Sequence, residues 1–292
     1  MAFDNAAGTG NGVGTDSSGN GFHFANTSHA TSGSAWATTD TVTDTPSENF
    51  CTWDGQREDG NTLSEGNLKV TSDGNNDWDS VIGTMFVSSG KYYWEIERDT
   101  ATGIGDSFRV GVGLDTFPAT TTVSSANFAW TLSENGGRVG GRQSLALTSD
   151  YGVSTTAGDF IGVALDMDRN AIYFSKNGTW MNSASASGIA AGTDYSKAAF
   201  SDVYGGDRGV APFLQMYGNQ AGTLRTNSDN WEGTAPTGFL ELNQDNLDAT
   251  ASEITAFAWI KNRDATDSHI LVDRLRGVGK TINSDNFAIE AS

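Results

Sequence analysis

Three carboxylates at alternate positions are the strongest candidates for catalysis in this sequence. Glu95, Glu97 and Asp99 share one face if their segment is a strand, with neighbouring Cα atoms roughly 6.5–7 Å apart. Retaining glycoside hydrolysis needs an acid and a nucleophile about 5–5.5 Å apart. A glycan depolymerase is therefore one hypothesis. We favour the other interpretation, in which Glu95 and Glu97 form the solvent face of an amphipathic strand, and we predict no catalytic residue.

Two oxygen-rich turns are candidates for calcium. Asp166, Asp168 and Asn170 have the D-x-D-x-N spacing of a calcium loop, but the glycine and the later bidentate glutamate of such a loop are out of register. A second turn contains Asp73, Asn75, Asn76, Asp77 and Asp79. We favour solvated turns and predict no metal site and no cofactor, with structural calcium at the first turn as the alternative.

Aromatic residues in predicted loops are the best candidates for binding a partner. Trp and Tyr bury a large area at low entropic cost, which suits both sugar faces and protein anchors. Core packing is the competing interpretation, and we favour it for Trp130. The predicted binding residues are Tyr151, Trp180, Tyr195, Tyr204 and Trp231.

Other reactive side chains offer little chemistry. His23, His29 and His269 are far apart and lack cysteine partners at ligand spacing, so no zinc site is expected. The single cysteine, Cys51, excludes an intrachain disulfide. Because it lies close to Phe50 and Trp53, we predict that it is a small buried hydrophobic residue. The sequence contains neither a G-x-S-x-G nucleophile elbow nor a phosphate-binding G-x-x-x-x-G-K-[ST] loop.

The elements that position these residues are predicted to be antiparallel strands. Apolar and polar residues alternate in short runs, as in half-buried strands. The Asn177-Gly178 pair is typical of a type I′ hairpin turn, since both positions need positive φ. No helix longer than a turn or two is expected, so the pattern predicts an all-β sandwich. The predicted strands are 68–71, 81–87, 91–98, 108–114, 128–132, 160–166, 171–176 and 210–217.

Composition limits the classes of partner. Of the 292 residues, 17 are Lys or Arg and 36 are Asp or Glu, which gives a formal charge of −19. Such a surface repels phosphate backbones and anionic membranes, so we predict neither nucleic-acid binding nor membrane insertion. The start lacks the basic and apolar regions of a signal peptide, so synthesis in a cytoplasm is expected.

Three regions are predicted from changes in composition. Residues 1–45 form an arm rich in Gly, Ser, Thr and Asn, which is too polar to fold alone and needs a surface to order on. Residues 46–236 form the sandwich. Residues 237–292 form a small β module, near the lower size limit for an independent core.

Several motifs, in order, resemble those of SPRY domains. GKYYWEIE at 90–97 and RVGVGL at 109–114 resemble two successive strands of that family. GDFIGVALDMDRNAIYFSKNGTW at 158–180 resembles its hairpin, and VAPFLQMYG at 210–218 its late strand. The resemblance implies a bent, concanavalin-like sandwich and accounts for Glu95 within the first motif. It also implies partner binding through loops at one end, expected at 115–127, 133–157 and 178–209.

The flanking segments resemble proteins of tailed bacteriophages, especially marine ones. The matching stretches are 16–24, 44–71 and 259–286. In those proteins the last module is longer, so the C-terminal module is expected to be truncated. The resemblance implies a virion structural protein that displays a SPRY-like domain, first as a tail-fibre or receptor-binding protein. Its expected partners are other virion subunits, including further copies of itself, and a glycan or protein of the host surface. The alternatives are a capsid decoration or head-fibre protein and an intracellular interaction module.

Overall fold

The computed structural model describes residues 49–247 apart from 59, 76, 102–105, 118–127, 142–145, 147, 149–150 and 205–208, with the backbone of five short strands in the flanks. Contacts divide the chain into two units, Met1–Asn246 and Leu247–Ser292. His23, His29 and His269 lie outside the described residues, as does most of the predicted arm.

Almost all of the regular structure in the described part is β-strand. The strands are β1 (Phe3–Asp4), β2 (Thr15–Asp16), β3 (Trp53–Glu58), β4 (Thr62–Ser64), β5 (Lys69–Thr71), β6 (Trp78–Gly83), β7 (Lys91–Arg98), β8 (Phe108–Leu114), β9 (Ala129–Ser133), β10 (Arg138–Gly140), β11 (Phe160–Asp166), β12 (Ala171–Lys176), β13 (Thr179–Trp180), β14 (Val210–Tyr217), β15 (Ala221–Arg225), β16 (Leu240–Glu241), β17 (Phe257–Ile260), β18 (Ile270–Asp273) and β19 (Ile282–Asn283).

Two large sheets form the sandwich. One has six strands in the order β10-β9-β8-β14-β6-β3. The other has eight, in the order β13-β12-β11-β7-β15-β5-β4, with β16 parallel to the start of β7. In the second unit, β17, β18 and β19 form a separate antiparallel sheet. The predicted all-β sandwich is confirmed.

The one α-helix in the described part is short. Helix α1 (Ala186–Ala191) begins where the Ser185 hydroxyl accepts a hydrogen bond from the Gly188 amide, and it ends at Gly192, whose φ is 76°. These are standard start and stop signals for a helix. Within the described residues, no helix has the length and apolar character that crossing a membrane requires.

Strand positions agree with the alternating runs where the pattern is strong. The predicted strands at 91–98, 108–114, 160–166, 171–176 and 210–217 have the observed bounds of β7, β8, β11, β12 and β14. Asn177 and Gly178 both have positive φ, 48° and 74°, and connect β12 to β13 as predicted. The sequence did not indicate β15. Its Gly222 faces the other sheet so closely that a Cβ would lie 3.0 Å from Leu214 and 3.1 Å from Phe108.

The prediction of half-buried strands is wrong for the centre of the eight-stranded sheet. Arg98, on the same face of β7 as Trp94 and Ile96, lies over the ring of Phe108 in the opposite sheet. The other face of β7 is buried too, since Tyr93 and Glu95 are both 0% exposed. A second layer of chain covers this outer face.

We call this second layer the cover layer and define it as residues 180–200 and 231–239. It packs on a cluster that includes Tyr93, Ala164 and Tyr173 from the strands and Ile189 and Phe239 from the layer itself. The central strands β7, β11 and β12 are therefore enclosed on both faces, which explains why alternate residues in β7 and β11 are both buried along most of each strand.

A buried ion pair connects the two sheets. The guanidinium of Arg98 on β7 contacts the carboxylate of Glu134 after β9, with side-chain exposures of 2% and 8%. Arg98 also donates to the Thr155 carbonyl at 2.7 Å, and Glu134 accepts from the Ser107 hydroxyl at 3.2 Å. Because both charges are desolvated, each depends on the other for compensation.

The chain enters and leaves the sandwich at the same place. Phe50 forms a β-bridge with Asn243, and the Cys51 amide donates to the Leu242 carbonyl at 3.0 Å. The Asn49 side chain donates to that of Gln244 at 2.9 Å. From the sequence, we grouped residues 237–246 with the C-terminal module. In the structure they contact the sandwich, because residues 242–244 pair with residues 49–51 at its start.

We expect Glu134→Gln to destabilise the fold by about 3 kcal/mol, because it leaves the buried Arg98 charge without its counter-ion. Urea unfolding would measure the loss. Replacing Arg98 by Met in the same chain should restore part of it. Lys69→Met, which removes a partly exposed charge, should cost less than about 1 kcal/mol and serves as the control. Equal losses for Glu134→Gln and Lys69→Met would contradict the role of the pair.

Cys51 gives a pH-dependent prediction. Its side chain is fully buried, as predicted, and desolvation raises the thiol pKa from 9.0 to about 11. The unfolded chain therefore ionises first, so this group's contribution to stability is complete below pH 9 and is lost as the pH rises towards about 11. Unfolding of the wild type should show this fall from pH 9, and Cys51→Ala should show a smaller one. Tyr93, Tyr151 and Tyr173, whose pKa values are also raised from 10.0, contribute to the fall in both proteins at higher pH. Rapid reaction of the folded protein with a thiol reagent at neutral pH would contradict this burial.

Candidate functional site

Glu95 is a structural anchor in this fold. Its Oε1 accepts hydrogen bonds from the Tyr93 hydroxyl at 2.6 Å and the Gly233 amide at 2.8 Å, and its Oε2 accepts one from the Glu232 amide at 2.7 Å. Burial and the adjacent Glu95 carboxylate raise the pKa of Tyr93 far above its usual value. The carboxylate therefore holds the cover layer on β7, and the prediction that Glu95 faces solvent is wrong.

The other two carboxylates of the candidate catalytic set also have partners. Glu97 contacts the guanidinium of Arg225 on the neighbouring strand. Asp99 accepts from the Thr223 hydroxyl at 2.8 Å and lies 3.7 Å from the Lys69 ammonium. With Glu95 buried beneath the cover layer, the three carboxylates do not form an open acid–base pair. This geometry does not support a depolymerase at this strand.

The calcium candidates at the β11–β12 turn are held by protein groups. The Asp166 carboxylate, 1% exposed, lies 2.8 Å from Arg169 and 3.6 Å from Lys91. Asp168 accepts from the Gly90 amide at 2.8 Å, and Asn170 has a φ of 57°. Two cations thus already neutralise the most buried carboxylate. Calcium binding at this turn stays a prediction that the geometry does not favour.

The second oxygen-rich turn also has internal contacts. Asp73 accepts from the Asn75 amide at 2.8 Å, and Asp79 accepts from the Asp73 amide at 3.3 Å. Across the described residues, no group of three or more His, Cys, Asp or Glu side chains is arranged to hold a metal ion.

Three of the five predicted binding aromatics line surface pockets. Tyr151 and Trp180 lie in one pocket, and Tyr195 lies in a second. Tyr204 is 53% exposed but lines neither. Trp231 belongs to the cover layer, because its ring packs on Tyr93 at 4.7 Å and its indole nitrogen donates to the Arg225 carbonyl at 2.8 Å. Trp130 is fully buried, as expected.

The first pocket, which we call the Trp180 pocket, has a volume of about 620 Å³. Its walls come from the loop before β11, the end of β12, and β13 with the residues after it. Val153, at the rim, is 56% exposed. The lining residues are Tyr151, Gly152, Val153, Lys176, Asn177, Thr179, Trp180, Met181, Asn182 and Ser183.

The second pocket, which we call the Phe200 pocket, has a volume of about 560 Å³. Phe200, Gly140 and Gly141 are buried, whereas Tyr195 is 41% exposed. The Tyr195 hydroxyl donates to the Ser201 carbonyl at 3.1 Å. The lining residues are Arg138, Gly140, Gly141, Tyr195, Ser196, Ala198, Ala199, Phe200, Ser201 and Asp202.

The two pockets are joined by hydrogen bonds. The Lys197 ammonium donates to the Ser183 carbonyl at 2.8 Å, and the Asn182 amide donates to the Lys197 carbonyl at 3.2 Å. The Phe200 pocket includes part of β10, the edge strand of the six-stranded sheet, and the Trp180 pocket includes β13, the edge strand of the eight-stranded sheet. We call these two pockets together the pocket edge.

Two lysines in or beside the pocket edge are paired with carboxylates. Lys176 lies 2.8 Å from Asp159, and Lys197 lies 2.8 Å from Asp194. Desolvation raises the pKa of Asp159, but hydrogen bonds from Lys176, the Thr156 amide and Asn177 outweigh it and lower the pKa overall. The hydrogen bond from Lys197 is the main cause of the lowered pKa of Asp194. Both carboxylates therefore stay ionised near neutral pH.

Several residues of the pocket edge could not be predicted from the sequence. Val153 and Phe200 lie in segments without a readable period, and they meet the predicted aromatics only through the fold. Asn182 and Ser183 both have left-handed backbone, with φ of 52° and 56°. Such a pair of non-glycine residues is uncommon, and its sequence does not reveal it.

We expect Glu95→Gln to destabilise the protein by about 2–3 kcal/mol, because an amide NH₂ would meet donors that the carboxylate now accepts from. Urea unfolding would measure this, and the amides of Glu232 and Gly233 should exchange faster with deuterium. Glu97→Gln, at a partly exposed pair, should cost less than about 1 kcal/mol. A Glu95→Gln protein of wild-type stability would contradict the anchoring role.

Comparisons with known proteins found one family model and several solved structures that are similar to part of the chain. Residues 91–226 match the family model described as SPRY domain. The SPRY domain of human HERC1 is similar in structure, with 22% identity, a TM-score of 0.46, and coverage of 59% of this chain and 96% of that one. Another human SPRY domain has 14% identity, a TM-score of 0.45, and coverage of 59% and 98%. No curated protein matches the sequence.

The predicted SPRY-type sandwich is thus confirmed for the region that includes β7 to β15. SPRY domains are protein-interaction modules. Residues 91–226, just under half of the 292-residue chain, are thus similar to the SPRY domain.

Proposed function

We propose that this chain is a non-catalytic binding protein of a tailed-phage particle, and that its SPRY-type sandwich recognises the host surface through the pocket edge. The observation that carries the proposal is the gathering of Tyr151, Trp180 and Tyr195 around two adjoining pockets. Pockets of this size, with apolar walls and a few polar groups, are typical ligand sites.

Placement in a phage particle is supported by the flanking sequences. The stretches 16–24, 44–71 and 259–286 resemble proteins of tailed phages. The pairing of Asn49 with Gln244 brings the two flanks out of the sandwich side by side. In this proposal the flanks attach the chain to other virion subunits.

Capsid decoration is the alternative within the same class, and it would use the same flanks for attachment. A glycan depolymerase finds less support, because Glu95 is buried and accepts three hydrogen bonds from protein groups. A catalytic acid needs access to the glycosidic oxygen, which this position lacks.

The variant Val153→Asp tests the proposal. It places a charge at an apolar position on the rim of the Trp180 pocket, since the Val153 side chain is 56% exposed there. Fluorescently labelled protein would be applied to a panel of marine bacterial strains and bound cells counted by flow cytometry. We expect attachment of the wild type to at least one strain and a fall of about tenfold or more for the variant.

Leu240→Asp is the matched control, because Leu240 is 46% exposed and lies on β16, away from both pockets. It should attach like the wild type, and both variants should unfold at the wild-type temperature. Equal attachment of Val153→Asp and wild type would contradict binding through the pocket edge. Failure of the wild type to attach to any strain would favour capsid decoration instead.

A further inference from the structure

We infer that the Trp180 pocket binds a neutral sugar unit of a glycan. This inference rests on the proposed function and specifies the class of partner. It follows from the charge balance of the pocket, the chemistry of its rim and the rigidity of its walls.

The charge balance favours an uncharged ligand. Among the described residues that line the pocket, Lys176 is the only one with a charged side chain. Its ammonium is engaged by Asp159 at 2.8 Å and by the Ser154 carbonyl at 2.9 Å. An acidic ligand would therefore find no free cation here, and the chain's net charge of −19 would repel it at longer range. A cationic ligand would find no carboxylate among the described lining residues.

The rim carries neutral groups that both donate and accept hydrogen bonds. Asn177, Thr179, Asn182 and Ser183 are all exposed and line the opening. The Asn177 side chain accepts a hydrogen bond from the Phe160 amide and donates one to Asp159, both at 2.8 Å. The Asn182 side chain donates one hydrogen bond to the Lys197 carbonyl. A side-chain amide has two donor hydrogens and two acceptor lone pairs, so each retains capacity for ligand hydroxyls.

The apolar part of the pocket matches the apolar face of a sugar ring. Trp180 is half-buried, and its ring packs edge-on against Tyr93 at 6.1 Å, which limits its rotation. A pyranose presents C–H groups on its ring face and hydroxyls around its perimeter. It can therefore cover the indole while its hydroxyls reach the rim. An aliphatic or phenyl anchor of a peptide would cover the indole equally but would leave the rim amides and hydroxyls without partners, at a cost.

The walls are formed before any ligand arrives. Gly152 packs so tightly on Met181 that a Cβ would overlap the sulfur. Asn182 and Ser183 are held at φ of 52° and 56° by their hydrogen bonds with Lys197. Non-glycine residues in this region carry strain that the surroundings must maintain, and such strain is concentrated at ligand sites. A pre-formed site loses less entropy on binding, which suits weak ligands such as single sugar units.

The test uses the whole chain and a glycan array, followed by calorimetric titration. The array holds neutral oligosaccharides built from glucose, galactose, mannose and N-acetylglucosamine, with sialylated and uronic-acid oligosaccharides as charged comparators. Thr179→Val removes one exposed rim hydroxyl without changing side-chain shape. Thr62→Val is the matched control, since Thr62 is an exposed strand threonine on β4, the opposite edge strand of the same sheet.

We expect at least one neutral oligosaccharide to bind, with the charged comparators at least tenfold weaker. Thr179→Val should weaken binding about fivefold, as for loss of one neutral hydrogen bond, whereas Thr62→Val should stay within about twofold. Asn182→Gly, which keeps the left-handed backbone, should weaken binding as well. Binding of acidic glycans alone, or equal effects of Thr179→Val and Thr62→Val, would overturn the inference.

Failure of this inference can be separated from failure of the proposed function. If no neutral glycan binds while Val153→Asp still abolishes attachment to cells, the sugar inference is wrong and the pocket edge binds a protein. If neutral glycans bind but Val153→Asp attaches normally, the sugar site stands and the proposed role of the edge in attachment is wrong.

Discussion

The central strand β7 has to be buried on both faces, and much of the remaining architecture depends on that requirement. Trp94 and Ile96 face the opposite sheet, while Tyr93 and Glu95 face outward and are equally buried. An outward tyrosine and carboxylate without partners would be costly to desolvate, so the chain after β15 returns over them. The amides of Glu232 and Gly233 bind Glu95 and fix that return. On the inner face, the Arg98–Glu134 pair connects β7 to the six-stranded sheet.

The cover layer that satisfies this requirement also forms part of the proposed binding surface. Residues 180–200 leave β13, pass over the outer face with Ile189 in the cluster, and return to pair Phe200 with Ile172. Their two ends form the walls of the Trp180 and Phe200 pockets, where the edges of the two sheets meet. Stability and recognition thus share the same segment, and the site stands on strands whose positions the core determines.

Sequence reasoning located the strands and the family because both depend on local patterns. The alternation in β7, the Asn177-Gly178 turn and the motifs of 90–97 and 158–180 are local features. It also selected Tyr151, Trp180 and Tyr195, which line the two pockets, since large aromatics in polar loops stand out. It placed Glu95 on the solvent face because period two alone cannot reveal a second layer that comes from residues more than 130 positions away. The pairing of Lys176 and Lys197 with carboxylates and the left-handed Asn182 and Ser183 arise from tertiary contacts.

The proposed role depends on which side of the sandwich is free in the assembled particle. The paired Asn49 and Gln244 mark where both flanks begin, and Tyr195 and Val153 mark the pocket edge. A cryo-electron microscopy reconstruction of intact particles tests this most directly. The account predicts the chain on the tail or its fibres, attached through its flanks, with residues 176–183 and 195–202 facing away from the particle. A reconstruction in which those residues are buried against other virion subunits, or from which the chain is missing, would contradict it.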